Sequence, residues 1–392
     1  MTEQAAHSAD WLAGQRAPMI ALLETLVNID SNSYDRDGVV AVFRQLEAFF
    51  RDQGIAVQWH EHEGRPAALS ARVAGRDAGA GSVLLMGHCD TVFPAGEAAR
   101  RPFTVRGATA HGPGVADMKS GVVMNAYVLA AAQQAGGLAH DVVALFTCDE
   151  EIGSLDSRAT IEALAQDATA VFNAEAGRPG GGAVTHRKGG LSFELRVTGK
   201  AAHSGGNFQD GASAIHDLAH KVVALSALTD LEAGLTLSVG LIRGGTAANT
   251  VAPDAECTID LRVPTPALRD QAVARIQEIA DTVHVPGTRA ELKLIAEFRP
   301  MVPTPASMAL FEHYRNCGRQ FGLDITAQYS GGCADSGFTA SMGRPTVCAT
   351  GPVGAHYHTL DEVTELDTMV PRARTLFAAI RTLAGANCDS LR

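Results

Sequence analysis

Four short apolar runs in this chain each lead into histidines or acidic residues, and this recurrence constrains the fold more than any other feature. The runs cover residues 82–86, 141–147, 168–172 and 346–349. Their length and continuous apolar character are typical of fully buried strands. Strands buried on both faces belong to mostly parallel sheets covered by helices, so the sequence predicts an α/β fold. Ligands bind such sheets beyond the carboxyl ends of the strands, which is where the polar residues lie.

The polar residues after these runs share the ability to bind a metal ion through nitrogen or oxygen. A histidine and an aspartate two residues apart follow the first run, and three consecutive acids follow the second. Adjacent carboxylates are costly unless a positive charge lies among them. A solvated acidic loop is the competing interpretation of that segment. The candidates are His88, Asp90, Glu150, Glu151, Glu175, His356 and His358.

A loop rich in glycine and proline supplies one further carboxylate. Asp117 ends this loop, and a strong helical pattern follows over residues 122–134. An N-terminal helix cap is the alternative role for Asp117. The loop lacks the spacing and the G-K-[ST] ending of a phosphate-binding loop, so it does not indicate a nucleotide site.

These residues converge if their strands belong to one parallel sheet. Nitrogen and oxygen donors without a thiolate suit zinc or a similar transition ion, whereas calcium and magnesium sites use oxygen alone. Two ions about 3.5–4 Å apart can activate a water molecule and polarise a carbonyl group. A carboxylate that is free of the metals can then act as general base. The pattern predicts metal-assisted hydrolysis, and spacing does not decide whether Glu150 or Glu151 is the base.

The middle of the chain has a different character. Over 190–296, alternating strands combine with predicted helices at about 211–228 and 265–284. Two β-α-β halves with antiparallel strands predict a separate α+β domain inserted into the first. We therefore expect residues 1–188 and 298–392 to form the catalytic domain and residues 189–297 to form the inserted domain.

The segments before the first buried run are predicted to precede the catalytic sheet. Residues 8–28 and 38–53 have amphipathic helical patterns, and residues 55–60 alternate as a strand. We expect the first strand of the sheet itself to be 82–87.

Composition excludes several classes of partner. The net charge of −11 argues against nucleic acid or an anionic membrane. Residues 1–22 lack a basic start followed by an apolar run, and no window of about twenty apolar residues occurs, so neither a secretory signal nor a membrane span is expected. Seven scattered cysteines without C-x-x-C fit reduced thiols in a cytoplasmic protein.

Five motifs, in order and spacing, resemble the di-zinc peptidase family of aminoacylases, acetylornithine deacetylase and succinyl-diaminopimelate desuccinylase. The likeness is strongest to the glutamate carboxypeptidases that cleave folates (carboxypeptidase G type). The resemblance spans nearly the whole chain. The motifs are G-H-C-D-T-V-F-P at 87–94, G-P-G-V-A-D-M-K-S-G at 112–121, C-D-E-E-I-G-S at 148–154, N-A-E-A-G at 173–177 and Y-H-T at 357–359.

The resemblance implies two Zn²⁺ ions per subunit, which Co²⁺ or Mn²⁺ could replace. One ion would be held by His88 and Glu175 and the other by Glu151 and His358, with Asp117 bridging them. Asp90 would orient the His88 ring. Glu150 would be the general base. The family also often has a cis peptide bond after the bridging aspartate, so we expect one between Asp117 and Met118.

The inserted domain resembles the lid and dimerisation domain of this family. The G-K-A-A-H-S-G motif at 199–205 contains His203, which would stabilise the oxyanion in the neighbouring subunit's site. Asn249 and Arg262 match residues that bind the substrate's free carboxylate, and a planar guanidinium suits such a bidentate contact. Arg299 is a weaker candidate for substrate contact. The resemblance therefore also implies a homodimer.

These expectations describe an amide hydrolase acting on an N-acyl or peptidyl amino acid with a free carboxylate. It would remove a C-terminal amino acid or deacylate the substrate. A dipeptidase and an N-carbamoyl amino acid amidohydrolase remain alternatives on the same scaffold. The alternative of another class is a non-catalytic binding homologue, although the sequence lacks none of the metal ligands or the base.

Overall fold

The computed structural model describes residues 11–62, 65–77 and 79–383 and divides into two compact units. Of the described residues, those within 1–186, 303–330 and 338–392 form the first unit, and those within 187–302 and 331–337 form the second. The predicted boundaries at 188 and 298 lie within a few residues of this division. Residues 331–337 join the second unit, although the sequence predicted them to lie in the second catalytic segment.

A six-stranded sheet lies at the centre of the described part of the first unit, in the order β1-β2-β6-β3-β7-β14. β3 pairs in parallel with β6 and β7, and β14 pairs in parallel with β7. The predicted mostly parallel α/β domain is therefore confirmed. The strands are β1 (Val57–His62), β2 (Arg65–Val73), β3 (Ser82–His88), β6 (Asp141–Thr147), β7 (Ala168–Asn173) and β14 (Thr346–Val347).

The expectation that the sheet begins at residue 82 is wrong. β1 and β2 form an antiparallel hairpin that joins the same sheet through β2 and β6. Arginine and serine within β2 interrupt its apolar pattern, so the sequence did not mark it as a buried strand.

Helices cover this sheet and supply most of the core. α4 (Ser120–Gln134) is almost completely buried. It packs against β3 and β6 as well as against α1 (Arg16–Val27) and α10 (Leu366–Thr382). α8 (Pro305–Arg319) begins with a capping box between Thr304 and Ser307, and its first residue is a proline, which is compatible with the first helical turn. The helices are α1 (Arg16–Val27), α2 (Arg36–Asp52), α3 (Glu97–Arg100), α4 (Ser120–Gln134), α5 (Arg158–Ala165), α8 (Pro305–Arg319), α9 (Ser336–Ser341, which crosses into the second unit) and α10 (Leu366–Thr382).

Two small sheets complete the first unit. One has the order β15-β16-β5-β4, and the other pairs β13 with β8. The first connects the loop before Asp117 with the segment around His358, because β5 and β15 both pair with β16. The strands are β4 (Thr104–Arg106), β5 (Thr109–His111), β8 (Ala183–Arg187), β13 (Ala327–Ser330), β15 (Gly354–Ala355) and β16 (Val363–Glu365).

The second unit contains an antiparallel sheet in the order β10-β11-β9-β12 with two helices. The chain order β9-α6-β10-β11-α7-β12 together with this strand order is the ferredoxin-like arrangement, which confirms the predicted α+β fold. Alternate residues of β11 are buried against the helices. The elements are β9 (Gly189–Thr198), α6 (Ala214–Ser226), β10 (Thr236–Gly244), β11 (Asp254–Val263), α7 (Pro266–Asp281) and β12 (Arg289–Phe298).

Across the part of the chain that the structure describes, none of the helices combines the length and the apolar character needed to cross a bilayer. The described cysteines are free thiols, while Cys388 lies outside the described residues.

Candidate metal centre

The parallel strands of the first unit carry polar side chains to one edge of the sheet. His88 is the last residue of β3, Glu150 and Glu151 form a helical turn after β6, and Glu175 lies two residues beyond β7. Because the carboxyl ends of parallel strands lie at the same edge, these groups meet there.

Asp117 reaches the same place from the turn that precedes α4. The peptide bond between Asp117 and Met118 is cis, as expected. At the start of α4, Gly121 lies directly against the main chain after β7, and a Cβ there would be 1.9 Å from the carbonyl oxygen of Ala174. Only glycine allows this close approach, which holds the start of α4 beside the segment that carries Glu175.

Asp117 lies between two imidazole rings. Its Oδ1 is 3.1 Å from Nε2 of His88, and its Oδ2 is 3.3 Å from Nε2 of His358. Each carboxylate oxygen therefore faces a different histidine, which is the arrangement that a bridging ligand between two cations requires.

The other carboxylates surround this group. Glu151 Oε2 is 3.2 Å from Nε2 of His358. Nε2 of His88 is 3.9 Å from Glu175 Oε1 and 4.0 Å from Glu150 Oε2. The structure thus brings all six residues of the predicted constellation together, while the metal-binding and catalytic roles assigned to them stay predictions.

The donor set fits a metal ion. Ligand atoms of His88, Asp117 and Glu151 lie within 4.8 Å of one another. Oε1 of Glu151 is buried and has no hydrogen-bond partner among the described residues. A buried carboxylate oxygen without a partner is costly, and a cation would satisfy it. Mixed imidazole and carboxylate donors suit zinc and related divalent ions.

The electrostatics of the cluster favour a positive charge. Burial lowers the pKa of His88, but the hydrogen bonds to Asp117 and Asp90 outweigh it and raise the pKa well above its usual value. Hydrogen bonds to Asp117 and Glu151 raise the pKa of His358 to about 10. Burial, together with the charge of Asp117, raises the pKa of Glu151 to about 7. The two histidines and Glu151 therefore retain protons that a bound cation would displace. Burial raises the pKa of Asp117, but the hydrogen bonds to His358 and His88 outweigh it and lower this pKa overall.

The His88 ring is oriented by main chain as well as by side chain. Nδ1 is 3.0 Å from the carbonyl oxygen of Asp90 and 3.4 Å from its Oδ1. A carbonyl oxygen only accepts, so Nδ1 carries a proton, and in its neutral form the ring would direct the lone pair of Nε2 toward Asp117. Two lone pairs then face each other across 3.1 Å, a contact that a proton or a metal ion must bridge.

The Asp90 carboxylate contacts more groups than the His88 ring, which it was expected to orient. It accepts hydrogen bonds from Ser33 Oγ at 2.6 Å, from the N–H of Glu150 at 3.2 Å and from the N–H of Glu151 at 3.1 Å. Asp90 therefore joins the loop after β3 to the turn that carries two of the candidate functional carboxylates.

Two buried residues that the sequence analysis did not identify hold the Asp117 loop. The Glu362 carboxylate accepts from the N–H groups of Gly114, Ala116 and Asp117 at 2.8–3.0 Å. Burial raises its pKa to about 7 although these N–H groups oppose the shift. Lys119 donates from Nζ to the carbonyl oxygens of residues 26 and 29 at the end of α1. Lys119 lies in the quoted D-M-K motif, whereas Glu362 lies four residues after His358 with no distinguishing pattern.

The remaining predicted residues belong to the second unit. His203 is exposed, and its Nδ1 accepts from the N–H groups of Gly205 and Gly206 at 3.1 and 3.0 Å. An accepting Nδ1 leaves Nε2 as the proton-bearing nitrogen of the neutral ring, so Nε2 is available as a donor. The carbonyl oxygen of the exposed Asn249 accepts from the N–H of Ser204, next to His203.

Arg262 is already partly engaged within the second unit. Its Nε and Nη2 donate to both oxygens of Asp260 at 2.9 Å, and its Nη1 lies 2.8 Å from Cys333 Sγ. Burial would lower the pKa of Arg262, but the pairing with Asp260 raises it overall. Among these contacts, only Nη1 does not donate to a carboxylate. Arg299 is half-buried, with Nη1 3.4 Å from Glu297 Oε1.

Comparison with known proteins identifies the family of this chain. The profile of peptidase family M20/M25/M40 matches residues 84–382. Carboxypeptidase G2 of Pseudomonas sp. (strain RS-16) is 28% identical over 380 residues, covering 94% of this chain and 89% of that protein. Succinyl-diaminopimelate desuccinylase of Bordetella parapertussis is 28% identical over 320 residues, covering 76% and 82%.

Solved structures share the fold. An M20 family metallo-carboxypeptidase, Sso-CP2 from Sulfolobus solfataricus, superposes with a TM-score of 0.74 at 17% identity and covers 93% of this chain and 99% of that chain. The profile match extends over most of the sequence and includes the strands and loops that bring the six clustered residues together. This chain is therefore a metal-dependent amide hydrolase and belongs to peptidase family M20/M25/M40.

Proposed function

We propose that the enzyme removes a C-terminal amino acid from, or deacylates, an N-acyl or peptidyl amino acid with a free carboxylate. Two Zn²⁺ ions, or Co²⁺ or Mn²⁺ in their place, would be held by His88, Glu175, Glu151 and His358, with Asp117 shared. The observation that supports this most is the Asp117 carboxylate, each of whose oxygens faces a different imidazole nitrogen. Bound there, the metal pair would supply Lewis-acid polarisation of the scissile carbonyl and activation of water.

Glu150 is the proposed general base. Its carboxylate is 4.0 Å from His88 Nε2 and is buried at the cluster. Glu151 instead contacts His358 directly at 3.2 Å and so is the better metal ligand of the two. Glu150 then accepts a proton from the attacking water and delivers it to the nitrogen of the leaving amine. Asp90 positions this carboxylate through the main-chain N–H of Glu150.

The second unit is proposed to bind the substrate. Arg262, through Nη1, and Asn249 would hold the substrate carboxylate, and Arg299 would make a further contact. His203 would donate from Nε2 to the oxygen that gains negative charge during attack. A requirement for a free carboxylate restricts the enzyme to chain ends or to acylated single amino acids.

The oligomer proposed here is a homodimer formed through the second unit. β10 is an edge strand of its sheet and exposes Leu241 and Ile242. An exposed apolar edge is a template for pairing with a second copy. Light scattering is expected to show a dimer for the wild type and a monomer for L241D, and a monomeric wild type would contradict the proposal.

The expected compartment of the enzyme is the cytoplasm.

A substrate panel tests the proposed function. Metal-reconstituted enzyme would be assayed with N-acyl-glutamates, N-acyl aromatic amino acids, dipeptides, N-carbamoyl amino acids and the matching C-terminal amides. We expect hydrolysis of the substrates that carry a free carboxylate and no hydrolysis of the matching C-terminal amides. Preference for dipeptides or carbamoyl compounds would select one of the alternatives, and equal rates on acids and amides would refute the carboxylate requirement.

The matched variant for this assay is R262A. Removal of the guanidinium is expected to raise KM for carboxylate substrates about tenfold or more, since one charged hydrogen bond contributes about 1.5–3 kcal/mol. R196A, which breaks an exposed ion pair on β9, serves as the control and should leave KM unchanged.

A further inference from the structure

Three histidines of the second unit form a cluster that the proposed reaction does not use. His216 and His220 are spaced by four residues on α6, and His284 follows the end of α7. Residues four apart on a helix lie on one face, so both imidazoles of α6 project together. All three side chains belong to exposed residues.

We propose that this histidine cluster binds one divalent transition-metal ion, separate from the candidate metal centre. His216 and His220 would chelate the ion through Nε2, with His284 as the third ligand. Neutral imidazoles suit Zn²⁺, Ni²⁺ and Cu²⁺, and two histidines at this spacing on a helix are an established way of holding zinc.

The distance between the two chelating nitrogens fits a shared ion. Nε2 of His220 is 3.2 Å from Nε2 of His216. Two nitrogens bound at about 2.0–2.1 Å to one tetrahedral Zn²⁺ lie about 3.3–3.4 Å apart. The helix therefore already presents two donors at almost the separation that binding requires, so little side-chain movement is needed.

The third imidazole is adjacent to the pair. The His284 ring stacks on the His220 ring, with 4.8 Å between centroids and an interplanar angle of 22°. The rings of His216 and His220 are 5.0 Å apart. The ring nitrogens of the three histidines do not all lie within 4.8 Å of one another, so the exposed His284 side chain must change rotamer to become the third ligand. Water would complete the coordination.

Buried contacts hold the main chain of His284 against α6. Asp217 Oδ1 accepts from the N–H groups of His284 and Val285 at 2.7 and 3.0 Å. Lys221 Nζ donates to the carbonyl oxygens of Ile279 and Ala280 at 3.1 and 2.9 Å and also to that of Thr282. Asp217 and Lys221 each directly follow one of the chelating histidines in the sequence, so the segment that supplies the third ligand is anchored beside the pair. Such preorganisation reduces the entropy lost on binding.

The proposal predicts one additional metal equivalent per chain. Wild-type protein would be equilibrated with Zn²⁺ at neutral pH, desalted and analysed for zinc. The H216A/H220A double variant is expected to contain one equivalent fewer than wild type and to keep its catalytic rate. H284A should bind this equivalent about tenfold or more weakly. H62A removes an exposed histidine on β1 and should match wild type.

The outcomes separate this proposal from the catalytic assignment. D117N should lose catalytic metal and keep the equivalent that depends on His216 and His220. Equal zinc content in wild type and H216A/H220A would overturn the proposal, as would loss of the same equivalent in H62A. Because the substituted side chains are exposed, far-ultraviolet circular dichroism should show unchanged folding, so a failure of the variant to fold would not be mistaken for a lost site.

Discussion

The buried charged groups of the two units differ in how completely the protein itself supplies their hydrogen-bond partners. In the second unit, the carboxylate of Asp217 accepts two main-chain N–H groups and lies 3.3 Å from Lys221 Nζ, which in turn donates to carbonyl oxygens at the C-terminal end of α7. In the first unit, Glu151 retains a buried oxygen without a hydrogen-bond partner among the described residues, and the two oxygens of Asp117 lie against the imidazoles of His88 and His358.

This difference separates a structural ion pair from a ligand site. The Asp217–Lys221 pair is satisfied by the fold itself, so it joins two helices and needs no further partner. The cluster in the first unit leaves a buried oxygen of Glu151 without a partner among the described residues, and a bound cation would satisfy it. Four variants, in order of decreasing effect, test this comparison.

The largest effect is expected for E150Q, because the amide cannot accept the proton of the attacking water. The catalytic constant should fall about 10²–10⁴-fold, the range for a general base. Metal content should stay that of wild type. E162Q, at an acid on the surface of α5 that pairs with Arg158, is the matched control. Near-normal turnover with metal bound would show that Glu150 is not the base.

K221M addresses the satisfied pair. It removes the cation beside Asp217 and leaves carbonyl oxygens at the C-terminal end of α7 without this donor, so the free energy of unfolding should fall by about 3–5 kcal/mol. Urea denaturation measures this loss. R196M breaks an exposed pair with Glu256 and should cost about 0–1 kcal/mol. If both variants lose the same stability, the buried pair has no special structural role.

H203A separates catalysis from stability in the second unit. Loss of an oxyanion donor should lower the catalytic constant about 10²–10³-fold. Because the residue is exposed, the free energy of unfolding should change by no more than about 0.5 kcal/mol. H62A provides the control. Unchanged kinetics would remove His203 from the proposed mechanism and leave the metal centre unaffected.

E362Q tests the support behind the ligand cluster. The amide replaces a carboxylate that accepts three N–H groups of the Asp117 loop, so its NH₂ would oppose one of these donors. Metal affinity should fall about 10–100-fold, as for other residues that orient ligands. Chelator competition measures this, with D361N at the neighbouring exposed acid as control. Lost activity at unchanged metal affinity would place Glu362 in another role.

Much of the fold was predictable because its signals are local. Continuous apolar runs marked β3, β6 and β7, and the polar residues shortly after each run pointed to the edge where His88, Glu151 and Glu175 meet. The alternating pattern likewise indicated the antiparallel sheet of the second unit. β2 escaped prediction because its strand character depends on pairing with β6, which begins 68 residues after β2 ends.

The sequence alone determined where β3, β6 and β7 lie and which polar residues follow them, and the family motifs predicted a role for each of these residues, because both depend on residues close to one another along the chain. The tertiary structure decided which distant residues contact these ligands, loops and helices and hold them in place. Ser33 on Asp90, Glu362 on the Asp117 loop and His284 beside α6 each join residues 57 or more positions apart. No local pattern encodes such contacts, because burial and hydrogen bonding at these sites arise only when distant segments pack together.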